Sequence, residues 1–472
     1  MTIFGTALPA VVPDDFEAFF VDGVAVDRRS GRPMEMDACN LYLGLRALEL
    51  RDGSDFRELR ERLVDAVLAR IEACGGLPEH VQWRDRQGEV HMRMTSAVVR
   101  LLVDAHRDGL LEDRLLVTAL LERHLGYREE LMGGTLWFLH DSFEGPQPPG
   151  PHPRRLAENR LYGSSRRNTL TLNTHVDTLV TIAYVLRLHS PLSARERSAL
   201  EHQLFLGVDA LMLVLRPSQG RFSRAYDTWD AFVRRRVFDG YRPGVRLGKL
   251  AGRALERTYF PVRQQLKSCF PIVHHSDGYL ERDLALQGTA FNYHVTNVWD
   301  LARLVHGLDR LRMGANAPGR LTAMVDHGLE HAFGSAYRHF LKRSYGSRGW
   351  TIQLCEVLAT RFGAGGLLEP LWVRRYAEVR RRLPPSPALL GFDPVLTDPA
   401  VSMRALLEPR GSLDAIPVEG GRIVAVNWGD TQAEVRLRAG VTIALHRSAG
   451  EIRTLARGLT LEPWSAAILE VV

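Results

Sequence analysis

Two hydrophobic periodicities meet in this chain, and the place where one replaces the other limits its architecture more than any other feature. Up to about residue 381 the apolar side chains recur at helical spacing; after about Gly411 they alternate. A helix returns a side chain to the same face about every 3.6 residues and a strand about every 2, so the two stretches belong to different kinds of element. In the first, Phe56, Leu59, Leu63, Val67 and Ile71 form one stripe behind Ser54 as N-cap, and residues 97–106 and 115–125 repeat the pattern. Ser193-Ala194-Arg195-Glu196 reads as a capping box that opens a helix through Leu204, Val208, Leu211 and Leu215, stopped by Pro217. Further helical patterns cover about 320–342, 351–361 and 368–381. The segment Leu383-Pro384-Pro385-Ser386-Pro387 breaks the regime, and the strand-like runs 422–426, 434–437, 441–445 and 466–471 follow. The expectation is a mainly α protein: residues 1–410 a large helical domain (1–80 its N-terminal helical part) and 411–472 a small β-sandwich or β-sheet module. Successive helical hairpins with no fixed repeat suit an α/α toroid and an irregular bundle equally.

Bulk properties narrow the function. At 472 residues the chain is long for one ordinary domain, and 45% hydrophobic with 25% charged residues is globular. Only three of the 61 basic residues are lysines, Lys249, Lys267 and Lys342. Arginine forks suit carboxylates and phosphates, and GC-rich coding gives the same bias. A net charge of +6 is small for this length, and no aromatic ladder accompanies the runs Arg234–Arg236 and Arg380–Arg382, which read as solvated faces. No nucleic acid is expected as a partner. Cys39, Cys74, Cys269 and Cys355 form no CxxC pair and suit reduced thiols. No basic leader with a long apolar stretch opens the chain, and no run approaches the roughly 18 apolar residues of a membrane span. The expectation is a cytoplasmic protein with no membrane partner; assembly state is not legible.

Three segments gather chemistry. In Leu172-Asn173-Thr174-His175-Val176-Asp177, Asn173 and His175 stand at the start of a helix, where the dipole favours an anionic ligand and an amide beside an imidazole can hold a carboxylate and move a proton. A cap and a core histidine explain the same residues. In His274 to His294, Asp277-Gly278 signals a turn, Glu281 and Arg282 follow it, and Asn292, Tyr293 and His294 open a helix; aromatic core is the alternative. The third runs from Thr135 through Trp137 and His140 to Glu144, an apolar stretch ending in His-Asp-x-x-Glu that suits a cleft rim, an acid-base pair, a metal site or a plain loop.

Asp277-Gly278-x-x-Glu281-Arg282 followed by Ala290-x-x-Tyr293-His294 resembles the tyrosine-histidine segment of helical-toroid polysaccharide lyases, namely alginate lyases and heparinase-like lyases. Leu172-Asn173-Thr174-His175 is similar to the asparagine-histidine helix that faces it there, an element shared with uronate C5-epimerases. The resemblance covers about 40 residues of motif, and the distance from His175 to His294 exceeds that of compact alginate lyases. It implies an (α/α) toroid acting on a uronate-containing poly- or oligosaccharide by C5 proton abstraction and β-elimination. Asn173, His175, Tyr293 and His294 would be catalytic, and Arg282, Glu281, Asn292, His140 and Trp137 would bind substrate. Asn173 and Arg282 would hold the carboxylate, and His175 or Tyr293 would take the proton. Tyrosine ionises near about pH 10, so that role asks for a nearby cation, for which Arg282 is the candidate. No metal or cofactor is implied.

Four other readings stay open. A C5-epimerase would return the proton to the opposite face of the sugar. A glycoside hydrolase would draw a carboxylate pair from Asp141, Glu144, Asp227, Asp230 and Glu281. A noncatalytic glycan-binding scaffold would leave the motif residues on separate surfaces. His327-Gly328-Leu329-Glu330-His331 matches an inverted zinc-protease pattern, with Glu408 as a third ligand, although the strand-helix alternation of those proteases is missing.

Overall fold

The computed structural model describes residues 20–21, 24–25, 35–52, 55–77, 90–142, 144, 168–189, 191–217, 220–239, 246–284, 291–313, 316–334, 348–363, 370–381, 393, 395–396, 412–418, 422–435, 443–446, 452–455 and 459–471. The molecule is mainly helical with small antiparallel sheets. The chain divides into two compact units, residues 68–345 and residues 1–67 with 346–472. The change of periodicity at Gly411 marks a change of element type, while the division into units falls within the second helix and after Tyr345.

The unit 68–345 is built from helical hairpins. Its first pair is α3 (Met92–Arg107) and α4 (Arg114–Leu125), after α1 (Glu35–Asp52) and α2 (Arg57–Ala73), which spans the division. A β-hairpin of β3 (Arg128–Leu131) and β4 (Thr135–Phe138) comes next, turned by Gly133 and Gly134 at positive φ. Helices α5 (Leu172–Leu188) and α6 (Ala194–Val214) form the second pair, and α9 (Phe291–Arg310) and α10 (Asn316–Ala332) the third. Between them stands the hairpin of α7 (Arg221–Asp239) and α8 (Arg246–Cys269). Helix α5 packs between α3 and α9, while α4, α6 and α10 back them. That central place explains why Leu172 to Leu186 of α5 are buried on every side. The capping box at Ser193 is present: Glu196 N donates to Ser193 Oγ at 3.2 Å and Ser193 N to Glu196 Oε2 at 2.7 Å.

The other unit holds α1, α11 (Arg348–Gly363), α12 (Pro370–Arg380) and the remaining strands. Strands β1 (Phe20–Val21) and β2 (Val24–Ala25) pair alone. Strands β5 (Leu413–Pro417), β6 (Arg422–Asn427), β8 (Ile443–His446), β9 (Ile452–Leu455) and β11 (Ser465–Val471) form a five-stranded antiparallel sheet in the order β5-β6-β11-β8-β9. Strands β7 (Ala433–Val435) and β10 (Leu459–Leu461) make a second, two-stranded sheet. β6 is flanked on both edges and packed by α11, so Ile423 to Val426 are buried without alternation.

Ser54 and residues 335–347 lie outside the described residues, so the cap expected for α2 and the extension of α10 are not described. The arginine runs read as solvated faces are split. Arg234 and Arg380 are buried in ion pairs, and the next residues, Arg235 and Arg381, are exposed. A helix turns by about 100° per residue, so neighbours in a run face different surroundings.

Candidate functional site

Two motif histidines sit in the core in the same manner. His175 of α5 accepts from Phe138 N at 3.0 Å through Nδ1 and donates from Nε2 to the Gly207 carbonyl of α6 at 3.1 Å. His294 of α9 accepts from Leu280 N at 3.0 Å and donates to the Gly328 carbonyl of α10 at 3.0 Å. Trp137 stacks on His175 with centroids 3.9 Å apart, and Tyr279 stacks on His294 at 5.5 Å. These correspondences define a local repeat: a strand-like segment with an aromatic residue just before the donor amide, then a helix, then a helix whose glycine carbonyl accepts the imidazole N–H. Burial pushes His175 down to about 3, and burial and His331 push His294 well below the ordinary histidine range. Both rings are neutral, and backbone engages both nitrogens of each. His175 and His294, for which catalytic roles were expected, are thus held by backbone bonds in the core.

The same reasoning moves Asn173, Trp137 and Glu281 inward. Asn173 is buried, its carbonyl accepts from Arg93 at 2.7 Å, and its Oδ1 has no hydrogen-bond partner among the described residues. Arg93 also pairs with Asp300 of α9, and Arg100 and Arg303 pair with Asp177 of α5, so a buried ionic web ties α3, α5 and α9. Burial alone would raise Asp177, but Arg100, Arg93 and Arg303 outweigh it and bring it to about 2. Trp137 is fully buried and offers no sugar platform. Glu281 is fully buried against Arg263, with Lys267 at 3.0 Å and His275 at 3.1 Å; burial opposes ionisation, but Arg263 and Lys267 dominate and its carboxyl falls to about 2.

Where the repeat meets the surface, other groups converge. The segments entering α5 and α9 run against each other: Leu172 N donates to the Arg282 carbonyl at 2.8 Å and Leu284 N to the Thr169 carbonyl at 2.9 Å. This brings the starts of two helices together. Arg282, two residues beyond Leu280, lies over the Tyr293 ring with Cζ 4.7 Å from its centroid. His140, two residues beyond Phe138, shares a 2.8 Å hydrogen bond with Thr174. Arg282 over Tyr293 and His140 on Thr174 thus occupy equivalent places in the two repeats. His91, at the start of α3, packs edge-on against His140 with centroids 4.4 Å apart.

Glu144 braces this rim. Its oxygens accept from His140 N at 2.8 Å, Thr169 Oγ1 at 2.6 Å and Thr169 N at 3.3 Å. Burial and Asp141 push its carboxyl up to about 8 against those bonds. Asn168 donates to Glu129 and accepts from Leu170 N, and Leu170 sits at φ 53°, a conformation that costs a bulky residue about 1 kcal/mol or more. The turn is thus held against strain where the chain enters α5. Thr171 provides no side-chain cap there, and the first amide of α5, Leu172 N, is met by the Arg282 carbonyl instead. Burial opposes the charge on Arg282, but Asp283, Tyr293, Glu144 and Asp141 raise its affinity for the proton, so the guanidinium is fixed.

Of the nine expected residues, Arg282, Tyr293 and His140 meet at this rim. Asn292 is half-buried on the first turn of α9, and its carbonyl accepts from Thr296. Glu144, Thr169 and Thr174 join the site through contacts distant in sequence; the only sequence signal for them was His-Asp-x-x-Glu ahead of a proline-rich loop. Among the described residues, one group of three, Asp230, His275 and Glu281, brings metal-ligating atoms within 4.8 Å of one another. Their carboxylates already bind Arg234, Arg263 and Lys267, which neutralise the charge a metal would need. His327 faces His274, whereas His331 packs on Phe291 and His294 and bonds the Asp277 carbonyl at 2.9 Å, so the zinc-protease pattern assembles no ligand set among the described residues, and Glu408 lies outside them. No family model, curated protein or solved structure matches the chain.

Proposed function

We propose that this chain is a uronate-active enzyme, a polysaccharide or oligosaccharide lyase that removes the C5 proton and expels the C4 oxygen. The observation that carries this reading is the Arg282 guanidinium against the Tyr293 ring at the start of α9. A uronate carboxylate would take the guanidinium fork, which spreads the charge that develops as the C5 proton leaves. Tyr293 is the base that accepts that proton at its phenol oxygen. The C–H electron pair becomes the C4–C5 double bond as the C4–O bond breaks, and the departing oxygen is protonated by the Tyr293 hydroxyl so formed. His140 orients the sugar from the neighbouring repeat. Glu144 is a positioning residue that fixes the His140 backbone. The stacked hairpins α3–α4, α5–α6 and α9–α10 accord with an (α/α) toroid, in which the starts of the inner helices would form the cleft. No cofactor enters the scheme.

His140 also favours a second reading. A second proton-handling group in the equivalent place on the neighbouring hairpin suits a C5-epimerase, in which one group removes the proton and the other returns it from the opposite face. The test incubates the protein with alginate, glycosaminoglycan and other uronate oligomers. Elimination gives a conjugated product with new ultraviolet absorbance; epimerisation in heavy water gives deuterium at C5 without it. Tyr293→Phe is expected to lower either rate by roughly 10²–10⁴-fold, the usual worth of a general acid-base group. Neither signal on any member of the panel would sink both readings.

A further inference from the structure

The α7–α8 hairpin stands between the two copies of the repeat, after α6 and before Tyr279. Its inner surface is packed: Val233, Tyr259 and Phe260 form a small apolar core, and Asp230 binds Arg234 and Arg263. Its outer surface carries large apolar side chains where polar ones are usual. Phe222 is 81% exposed, Leu250 64%, Phe232 55% and Val262 46%, and Trp229 is also exposed.

At about 100° per residue, Phe222, Ala225, Trp229 and Phe232 share one stripe of α7, and Arg221, Arg224 and Arg235 share the adjoining one. All seven are exposed. The α7 carboxylates whose side chains are described, Asp227 and Asp230, are buried on the opposite face. On α8 the exposed positions include Leu250, Ala254, Pro261 and Val262, with Arg257 beside them. Aromatic and aliphatic side chains bordered by arginine, with Asp227 and Asp230 turned inward, match an interface that buries acyl chains and binds negative headgroups. A glycan platform would use aromatic faces but has no use for exposed leucine and valine.

We infer that the outer face of the α7–α8 hairpin docks on the surface of an anionic lipid bilayer, lying in the headgroup region without crossing it. This goes beyond the proposed chemistry and does not rest on it. The test is co-sedimentation of the full chain with vesicles of phosphatidylcholine alone and of phosphatidylcholine mixed with phosphatidylglycerol. Binding to the mixed vesicles only, weakened by salt, is expected. Phe222→Ser with Trp229→Ser should lower that binding at least tenfold, and Arg221→Gln with Arg224→Gln and Arg235→Gln should lower it roughly fivefold per arginine and flatten the salt dependence. Circular dichroism melts matching the wild type would show that these surface variants fold. Equal sedimentation with both kinds of vesicle, or unchanged binding by the Phe222/Trp229 variant, would overturn the inference. So would a concentration-dependent dimer in light scattering that the same variant abolishes, because the face would then belong to a second copy.

Discussion

His175 and His294 show how a residue that looks catalytic can be structural. Each imidazole bridges two backbone groups on neighbouring segments, a donor on Phe138 or Leu280 and an acceptor on Gly207 or Gly328. His175→Leu would leave one buried N–H and one buried C=O unmatched, at a cost of about 1–3 kcal/mol for each. The expected outcome is a clear loss in urea or thermal unfolding, with the catalytic rate of the folded fraction nearly unchanged; a rate loss without destabilisation would return His175 to the chemistry. Protonation makes a second prediction. His124 and His331 fall to about 4, His175 and His306 to about 3, and His294 well below its ordinary value. Burial heads the cause in each. At these histidines the unfolded chain therefore binds more protons than the native one below about pH 6.5, and their contribution to stability falls as pH falls, by about 1.4 kcal/mol per unit for each group inside its window, down to about pH 4 or 3. His275 has the opposite sign. Burial and Arg234 lower it, but the bonds to Asp227 and Glu281 and the charge of Asp230 win and raise it. Its contribution is complete below about pH 6.5 and is lost as pH rises through its folded value. Unfolding free energies across pH for wild type and His275→Gln test this: the loss on the alkaline side should be smaller in the variant, which keeps the part due to Glu144.

At the scale of elements, the glycines of the repeat are where two helices come closest. A Cβ on Gly207 would stand 2.4 Å from Leu179 Cδ2, and one on Gly328 would stand 2.6 Å from Val298 Cγ2. Each contact lies four residues beyond the bridging histidine. Leucine can swing its far methyl aside, whereas valine is stiff about χ1. Gly328→Ala is therefore expected to destabilise by about 1–3 kcal/mol through overpacking, partly offset by about 1 kcal/mol of helix propensity. Gly207→Ala should cost less, and chemical denaturation of the two variants ranks them. The repeat was not legible in the sequence, and the reason is physical. Its two copies are held in register by contacts to a backbone carbonyl and a backbone amide, which constrain no side chain but the histidine and the glycine. The α7–α8 insertion also destroys any fixed period. The helices themselves were legible because an amphipathic stripe or a capping box is written locally, as at Ser193. Strands β5, β9 and β10 were not read, since three to five residues carry too little alternation. Tyr293 and Arg282 were found because they stand near each other in sequence; Glu144 reaches Thr169 only through the fold.

For the whole molecule, burial of arginine changes the meaning of the composition. Arg93, Arg234, Arg263, Arg303 and Arg380 are all buried in ion pairs, so part of the arginine excess holds elements together. A planar fork satisfies two carboxylate oxygens at once, which suits it to such places better than lysine. In the unit of residues 1–67 with 346–472, Arg380 of α12 bonds Asp414 of β5 at 2.6 and 3.0 Å, and Tyr376 donates to the same carboxylate at 2.8 Å. Asp414→Ala would leave a buried guanidinium uncompensated, a loss of about 3–5 kcal/mol. Arg282, Tyr293, His140 and Glu144 all belong to the unit 68–345. The variant should therefore lower the melting temperature while the folded protein keeps its wild-type rate. Hydrogen exchange localises the effect: amides of α12, β5 and β6 should lose protection first, because their cooperative unit has lost its ion pair, while those of α5 and α9 keep theirs. Equal loss in α5 and α9 would mean that the two compact units unfold as one, and the variant could then not separate stability from chemistry.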